Sequence, residues 1–277
     1  MAKLVLVILD GVGYAKARAY LGNLEAWARS GEARVWKMLS VLPSVSGPCY
    51  VSMHTGLEPV VHGILTNYDR LWRVAQPDIF SAASAAGKVT AAVAHSFFST
   101  YFQRAPFDPV RDLEIDDPRL AIQHARFYTM ASAHRGNLAV PCDRDLLAQA
   151  TMLGERFAAD YILLHTCSPD SVGHKYGQDS IEMDTHLYQL DAALSVYLPR
   201  WREAGYEVLI TADHGQTGRG HHGGTTDEMR EVPLYYFGAG GGPATAEVLS
   251  QIQLAPSVLR RLGVAIPQTM AAAPLFL

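Results

Sequence analysis

The chain has 277 residues, of which 49% are hydrophobic, and a formal net charge of −4. This length suits one large α/β domain or two small ones, and the mild charge without a basic cluster excludes a nucleic-acid polymer as the expected partner. Three widely spaced cysteines exclude a disulfide framework, and no segment approaches the roughly 20 apolar residues of a membrane helix, so we expect a soluble, cytoplasmic protein.

The first predicted elements are a buried strand and two helices. Residues 4–9 are continuously apolar and rich in β-branched side chains, which is typical of a central strand in a parallel sheet. Residues 15–31 are predicted as one helix. A proline two residues after Ser46 suits the first turn of a short helix that ends at Gly56. Ser46 then lies at a helix N-terminus, where free N–H groups favour an anion.

The middle of the chain contains a segment of different composition. Residues 78–87 are predicted as a helix and residues 89–94 as a strand. From 95 to 141, aromatic residues and prolines replace the regular pattern, and we interpret this segment as a cap-like insertion packed over the sheet edge rather than a separate domain. An amphipathic helix at 142–159 and a strand at 161–164 follow.

The last third of the chain returns to alternating helices and strands. A long helix is predicted at 179–204, a buried strand from 208 that ends at the Asp-His-Gly of residues 213–215, a further strand at 232–237, and a closing helix at 257–262. Strands that alternate with helices predict a mostly parallel sheet with right-handed crossovers. We expect residues 1–277 to form a single α/β domain.

Three carboxylates follow the ends of predicted strands. Asp10, Asp170 and Asp213 each come after such a strand, and parallel strands deliver their carboxyl ends to one edge of the sheet. The nearby sequence adds Ser46 and up to four imidazoles, those of His174, His214, His221 and His222. Oxygen and nitrogen ligands of this kind suit zinc, with manganese or iron as alternatives, and their number is sufficient for a two-metal site.

Six short motifs occur in the order found in the alkaline phosphatase superfamily. The chain most resembles the nucleotide pyrophosphatase/phosphodiesterase (type I phosphodiesterase) branch of that superfamily, and the resemblance covers nearly the whole chain. The motifs are Leu-Asp-Gly at 9–11, Pro-Ser-x-Ser-x-Pro at 43–48, Thr-Gly-x-x-Pro-x-x-His-Gly-Ile at 55–64, Asp-x-x-Gly-His at 170–174, Ala-Asp-His-Gly at 212–215 and Gly-x-His-Gly at 220–223.

The resemblance implies a three-layer alkaline phosphatase-like sandwich and two zinc ions. One zinc ion would bind to Asp170, His174 and His222, and the other to Asp10, Asp213 and His214. Ser46 would be the metal-bound nucleophile, because metal coordination supplies the alkoxide that a free serine lacks at neutral pH. The implied reaction is hydrolysis of phosphodiester or pyrophosphate bonds in a small molecule, such as a nucleotide, through a phosphoserine intermediate.

The chain departs from the branch at two positions. Ser46 stands where the branch has threonine, with Ser44 as the alternative nucleophile. Cys49 stands where the resemblance implies a phosphoryl-binding asparagine, and a thiol is a weaker donor than an amide. Helix-start N–H groups, Tyr50 or a cap residue could compensate for Cys49. Asn67 is a candidate substrate contact or a turn residue.

Several other readings remain open from the sequence. The same scaffold could carry a phosphomonoesterase, a phosphonate hydrolase or a phosphotransferase, or a metal-dependent nucleotide-binding protein without turnover. Ser-Gly-Pro at 46–48 also resembles the start of the sulfatase motif, but Tyr50 occupies the position of its arginine, which disfavours that activity. His165 ends a predicted strand near Asp170 and is either an ordinary core histidine or a support for a metal ligand.

Overall fold

Strands and helices alternate along the computed structural model, which describes residues 2–67, 72–130 and 139–276. The strands are β1 (Lys3–Leu9), β2 (Arg34–Leu39), β3 (Thr90–His95), β4 (Glu114–Asp116), β5 (His124–Tyr128), β6 (Tyr161–Thr166), β7 (Tyr206–Thr211), β8 (Glu231–Phe237) and β9 (Val248–Ser250). The helices are α1 (Tyr14–Tyr20), α2 (Gly22–Ser30), α3 (Ser46–Thr55), α4 (Pro59–His62), α5 (Ile79–Ala85), α6 (Ser96–Phe102), α7 (Pro109–Asp112), α8 (Asp143–Phe157), α9 (Ser168–Tyr176), α10 (Ile181–Glu203), α11 (Asp227–Arg230) and α12 (Leu254–Leu262).

The described residues form one nine-stranded sheet in the order β4-β5-β3-β6-β1-β7-β8-β2-β9. The five strands from β5 to β7 in this order are parallel, whereas β8 is antiparallel to both of its neighbours. The register pairs Leu9 with Thr166 and Ile8 with Thr211. The carboxyl ends of β6, β1 and β7 therefore meet at one edge of the sheet, which confirms the mostly parallel topology.

Helices cover both faces of the sheet. On one face α8 and α10 pack on β6 and β7, with α1, α2 and α9 beside them, and on the other face α12 packs on β1 next to α3 and α5. Every apolar residue of β1 from Leu4 to Leu9 is fully buried, as a strand covered on both faces requires. This arrangement confirms the α/β fold with helices on both faces. None of the helices in the described ranges is long and apolar enough to cross a bilayer.

The first predicted helix, at 15–31, is wrong as a single element, because the chain forms α1 and α2 with a break at Leu21. The Asp191 carboxylate, which belongs to α10, accepts hydrogen bonds from the backbone N–H groups of Asn23 and Leu24 at 2.8 and 3.2 Å. A side chain distant in sequence therefore caps α2, and no local pattern predicts such a cap. Strand β2 was also not predicted.

The segment at 95–141, predicted as a cap, contributes α6, α7 and two strands in its described part. Strand β5 pairs in parallel with β3, and β4 pairs antiparallel with β5, so this part extends the sheet rather than only packing over its edge. Residues 131–138 of the predicted cap lie outside the described ranges. The aromatic residues Phe98, Tyr101 and Phe102 of α6 are fully buried and belong to the core.

Helix α3 carries His54 into an aromatic cluster beneath the sheet edge. The His54 ring stacks on Phe80, with the centroids 5.5 Å apart, and its Nδ1 atom lies 2.9 Å from the backbone oxygen of Tyr50. The side chain is fully buried, and burial lowers the pKa of His54 to about 4. The folded protein therefore keeps this imidazole neutral over a pH range in which the unfolded chain protonates it.

We predict that acid destabilises the wild-type protein more than His54→Phe, which replaces the imidazole with a ring that does not titrate. Between pH 7 and pH 5, His54 binds a proton in the unfolded state but not in the folded state. The unfolding free energy of the wild-type protein should therefore fall by about 2 kcal/mol more than that of the variant. Urea denaturation of both proteins at the two pH values measures this difference. An equal loss in both proteins would contradict the assignment.

Candidate active site

The carboxylates of Asp10, Asp170 and Asp213 lie together at the carboxyl edge of the sheet. Asp10 directly follows β1, Asp213 follows β7 by two residues, and Asp170 lies in the first turn of α9, after β6. The backbone N–H of Gly11 donates to Asp213 Oδ1 at 3.0 Å. Gly11 has a φ of +76°, and a Cβ at this position would lie 3.0 Å from Asp170 Cα. Only glycine therefore lets the turn after β1 approach the start of α9 so closely.

The imidazole of His214 lies between two of the carboxylates and the serine. Its Nε2 atom is 3.2 Å from Asp213 Oδ2, 3.6 Å from Asp10 Oδ1 and 3.2 Å from Ser46 Oγ. Two groups of side chains have ligand atoms within 4.8 Å of one another, and His214 belongs to both of them. The groups are Asp10, Asp213 and His214, and Asp170, His214 and His222.

His174 joins the second group from helix α9. It follows Asp170 by one helical turn, which puts both side chains on one face, and its Nε2 atom lies 3.3 Å from Asp170 Oδ2. The Nε2 atom of His222 is 3.2 Å from that of His174 and 3.7 Å from Asp170 Oδ1. The structure thus brings together all seven residues that the sequence predicts as metal ligands, and places His222 rather than the exposed His221 among them.

The ligand histidines are held from behind by backbone carbonyl groups. His174 Nδ1 lies 2.8 Å from Gly220 O, His214 Nδ1 lies 3.1 Å from Gly215 O, and His222 Nδ1 lies 3.3 Å from Ser44 O. An Nδ1–H that donates to a carbonyl leaves Nε2 as the unprotonated nitrogen, which is the usual arrangement around metal-binding histidines. Burial lowers the pKa of His214 and of His222 to about 4, so both rings are neutral and able to bind a metal.

Within the described residues, neither lysine nor arginine forms an ion pair with these three carboxylates, whose ion-pair partners are all histidines. Asp10 Oδ1 and Asp213 Oδ2 are also buried without a hydrogen-bond partner. Burial and the charges of neighbouring carboxylates raise the pKa of Asp10 well above its ordinary value and that of Asp213 to about 6. Burial opposes ionisation of Asp170 too, but the hydrogen bond to His174 holds its pKa below the ordinary value. Divalent cations fit this donor set and its uncompensated charge.

Ser46 begins helix α3 and faces the metal-ligand cluster. The N-cap residue of α3, Val45, makes no side-chain cap hydrogen bond, and the Asn67 side chain instead accepts from the backbone N–H of Gly47. Ser46 Oγ is 3.2 Å from His214 Nε2. Ser44, the alternative nucleophile, is fully buried and donates to the backbone oxygen of Gly224 at 2.8 Å. The geometry therefore favours Ser46.

Asn67 is the predicted substrate contact that lies beside Ser46. Its Oδ1 atom accepts a hydrogen bond from the backbone N–H of Gly47 at 2.7 Å, which leaves the side-chain NH₂ group as a donor. Cys49 and Tyr50, the other two predicted contacts, are buried. Cys49 lies one turn deeper in α3, and the Tyr50 hydroxyl donates to Asp10 Oδ2 behind the site. Asn67 is therefore more accessible than Cys49 and Tyr50, and substrate contact by those two residues stays a prediction.

The sequence did not point to two glutamines that support Asp170. The side-chain amide of Gln216 donates to Asp170 Oδ1 and, at 3.2 Å, to its backbone oxygen. Gln178 donates to Gln216 Oε1 at 3.0 Å and to Gly11 O at 2.9 Å. Gln216 comes two residues after His214, and this proximity to a ligand is the one signal that could have indicated it. His165, which the sequence left open, contacts Asp10 Oδ2 at 3.0 Å.

Comparison with known sequences relates the chain to enzymes of phosphate ester chemistry. The profile of the type I phosphodiesterase/nucleotide pyrophosphatase family matches residues 4–229. The catalytic subunit of human GPI ethanolamine phosphate transferase 3 is 29% identical over 113 residues, which are 39% of this chain and 10% of that protein. The 2,3-bisphosphoglycerate-independent phosphoglycerate mutase of Natronomonas pharaonis is 32% identical over 124 residues, which are 41% of this chain and 23% of that protein.

Comparison with solved structures shows the same fold at low sequence identity. Murine ectonucleotide pyrophosphatase/phosphodiesterase 5 superposes with a TM-score of 0.68 at 14% identity, and the match covers 96% of each chain. An inactive variant of that protein, solved in complex with AMP, superposes with a TM-score of 0.69 at 12% identity over the same shares. Both structural matches cover almost the full length of the two chains compared. In contrast, this chain spans less than a quarter of the length of each of the two sequence relatives.

We predict opposite effects of Asp213→Asn with and without zinc. Without metal, the variant should be at least as stable as the wild-type protein, because it removes a buried charge that lacks a positive partner. With zinc at about 100 times its dissociation constant, each of the two sites should add about 3 kcal/mol to the unfolding free energy of the wild-type protein, and the variant should lose the gain from the site that contains Asp213. Chemical denaturation in zinc and in a chelator measures both effects.

Asp78→Asn is the matched control for this experiment. Asp78 is buried and caps α5 through the N–H groups of Phe80 and Ser81, and it is not among the predicted ligands. This control should keep the full zinc-dependent gain. A wild-type protein that contains zinc and whose unfolding does not respond to the chelator would contradict the metal assignment.

Proposed function

Because the chain belongs to the type I phosphodiesterase/nucleotide pyrophosphatase family of the alkaline phosphatase superfamily, we propose that it hydrolyses phosphodiester or pyrophosphate bonds through Ser46 and two zinc ions. Asp10, Asp213 and His214 would hold one ion, with Ser46 beside it. Asp170, His174 and His222 would hold the other. Manganese or iron could take the place of zinc, because oxygen and nitrogen donors accept all three metals.

One observation carries this proposal. The hydroxyl group of Ser46 lies at the start of α3, 3.2 Å from His214 Nε2, and His214 belongs to both groups of potential metal ligands. The serine that begins α3 is thus next to the centre of the cluster in the described structure. Its exposure is low, at 7%, so the hydroxyl faces the cluster rather than bulk water.

The residues of this site support a two-stage displacement at phosphorus. Bound zinc would supply Lewis acidity that favours loss of the Ser46 proton and offsets charge on the phosphoryl oxygens. Ser46 Oγ attacks phosphorus, and the bond from phosphorus to the leaving oxygen breaks, which gives phosphoserine. Water then attacks the same phosphorus atom, and the bond to Ser46 Oγ breaks. The side-chain NH₂ group of Asn67 binds a phosphoryl oxygen during both steps.

The charge of the site favours diesters over monoesters. Three carboxylates against two divalent cations leave one net positive charge, since the ligand histidines are neutral. A phosphodiester carries one negative charge on its non-bridging oxygens, whereas a monoester carries about two at neutral pH. The net charge of the site therefore matches that of a diester better than that of a monoester.

A nucleotide is the substrate class that we favour. The family is named for nucleotide pyrophosphatases, and the structural neighbour that covers nearly its whole length was solved with AMP. A nucleotide diester or a dinucleoside polyphosphate offers the single negative charge per bridging phosphoryl group that the site accommodates. The mutase and the transferase among the sequence relatives make phosphoryl transfer to an acceptor other than water the second candidate function.

We predict that Ser46→Ala lowers kcat on bis-p-nitrophenyl phosphate by about 10³-fold or more, because it deletes the attacking oxygen. Zinc content should stay at the wild-type level, since six other ligands remain. Ser44→Ala is the matched control, two residues away, and should keep most of the activity. A Ser46→Ala protein that binds zinc normally and retains the wild-type rate would show that Ser46 is not the nucleophile.

We further predict that Asn67, and not Cys49, stabilises the phosphoryl oxygen. Asn67→Ala should lower kcat by about 10²- to 10³-fold, as removal of an oxyanion donor does. Cys49→Ala removes a buried thiol from the same helix and should change kcat by less than about threefold, within the effect of a small core substitution. Steady-state kinetics on the same diester measure both variants. Equal losses in the two variants would count against Asn67.

A further inference from the structure

The two carboxylate oxygens of Asp10 have different surroundings. Oδ1 is buried without a hydrogen-bond partner and points toward His214 Nε2, 3.6 Å away. Oδ2 accepts a hydrogen bond from the Tyr50 hydroxyl and lies 3.0 Å from His165 Nε2. The carboxylate is thus held on one side by protein donors, and its other oxygen is left for a cation.

The donors on Oδ2 continue into a buried chain of polar groups. The Tyr50 hydroxyl is 2.7 Å from His165 Nε2, and the Tyr128 hydroxyl is 2.7 Å from His165 Nδ1. We call Asp10, Tyr50, His165 and Tyr128 the relay. All four side chains are at least nine-tenths buried, so bulk water does not compete for these hydrogen bonds.

Proton counting gives the relay a direction. If Tyr50 donates its one proton to Asp10 and Tyr128 donates to His165 Nδ1, then His165 carries its proton on Nε2 and donates toward Tyr50 and Asp10. Every donor then points toward the carboxylate. In the other arrangement, Tyr128 donates to the backbone oxygen of His165 at 3.1 Å, Nε2 accepts from Tyr50, and Asp10 Oδ2 loses both donors. The first arrangement is favoured because it gives the buried Oδ2 atom both donors, whereas a buried oxygen without a donor is costly.

The fold fixes the positions of the relay. Strand pairing sets His165 beside Ile8, and the backbone N–H of Asp10 donates to Thr166 O at 3.0 Å. The Tyr50 ring stacks on Phe98 with centroids 4.5 Å apart, and the Tyr128 ring lies nearly parallel to His165, at 6.2 Å and 17°. Packing on α3, β5 and β6 therefore holds the donors in place without a metal.

We propose that Tyr50, His165 and Tyr128 are positioning residues that orient Asp10 so that Oδ1 faces the cation, and that they raise the affinity of the site for zinc. This inference rests on the proposed metal site. The three residues do not touch the substrate and act through Asp10 alone. Substitutions of such outer residues typically weaken metal binding by about 10- to 100-fold.

The first test measures zinc affinity by competition with a chromophoric chelator. Tyr50→Phe should weaken one of two zinc sites by about 10- to 100-fold, and Tyr128→Phe, one step further away, should weaken the same site by a smaller factor. Tyr206→Phe is the matched control, because it too removes a buried tyrosine hydroxyl. Tyr206 lies outside the relay, and its hydroxyl donates to the backbone oxygen of Ala159 at 2.7 Å. The control should lose stability and keep its zinc affinity.

The second test needs no metal. Nitrogen-15 NMR of the metal-free protein, with His165→Gln to assign the resonance, should show the His165 tautomer that is protonated on Nε2. Protonation on Nδ1, or zinc affinities in Tyr50→Phe and Tyr128→Phe equal to that of the wild-type protein, would overturn the relay while the metal site stands. A wild-type protein that binds no zinc would overturn the proposed function, and the relay's role in metal binding with it.

Discussion

The structure depends on three carboxylates that are brought together at one sheet edge, where no lysine or arginine of the described ranges forms an ion pair with them. Asp10, Asp170 and Asp213 repel one another there, and burial adds to the cost of their charges. A fold that only had to be stable would not retain such a cluster, because neutral residues of similar size would pack better. The arrangement is explained if cations complete it. The serine at the start of α3 and the glycines that let the loops approach then serve a single centre.

Hydrogen bonds within the protein fix the orientation of most of the predicted ligands. Backbone carbonyls hold the Nδ1 side of the ligand histidines, Gln216 holds Asp170, and Tyr50 and His165 hold Asp10. Each ligand therefore has one fixed side and one side that faces the centre. This division is the physical basis of preorganisation, because binding a cation then requires little rearrangement of the side chains.

The sequence was sufficient to predict the central parallel sheet from its apolar runs, and the carboxylates that follow three of these runs indicated one site. The motifs shared with the alkaline phosphatase superfamily supplied Ser46 and the histidines. The sequence was not sufficient where the deciding contact is distant in the chain. Asp191 divides the first helix in two, β5 extends the sheet, and Asn67 reaches Gly47 from 20 residues away. The family resemblance suggested a role for Cys49, three residues after Ser46, but the linear pattern contains no information on its complete burial.

Zinc-edge anomalous diffraction from crystals of the zinc-loaded protein tests the central claim most directly. The account predicts two zinc peaks, with Asp10, Asp213 and His214 around one and Asp170, His174 and His222 around the other, and with Ser46 Oγ beside the first. A single peak, or peaks away from these side chains, would contradict the account.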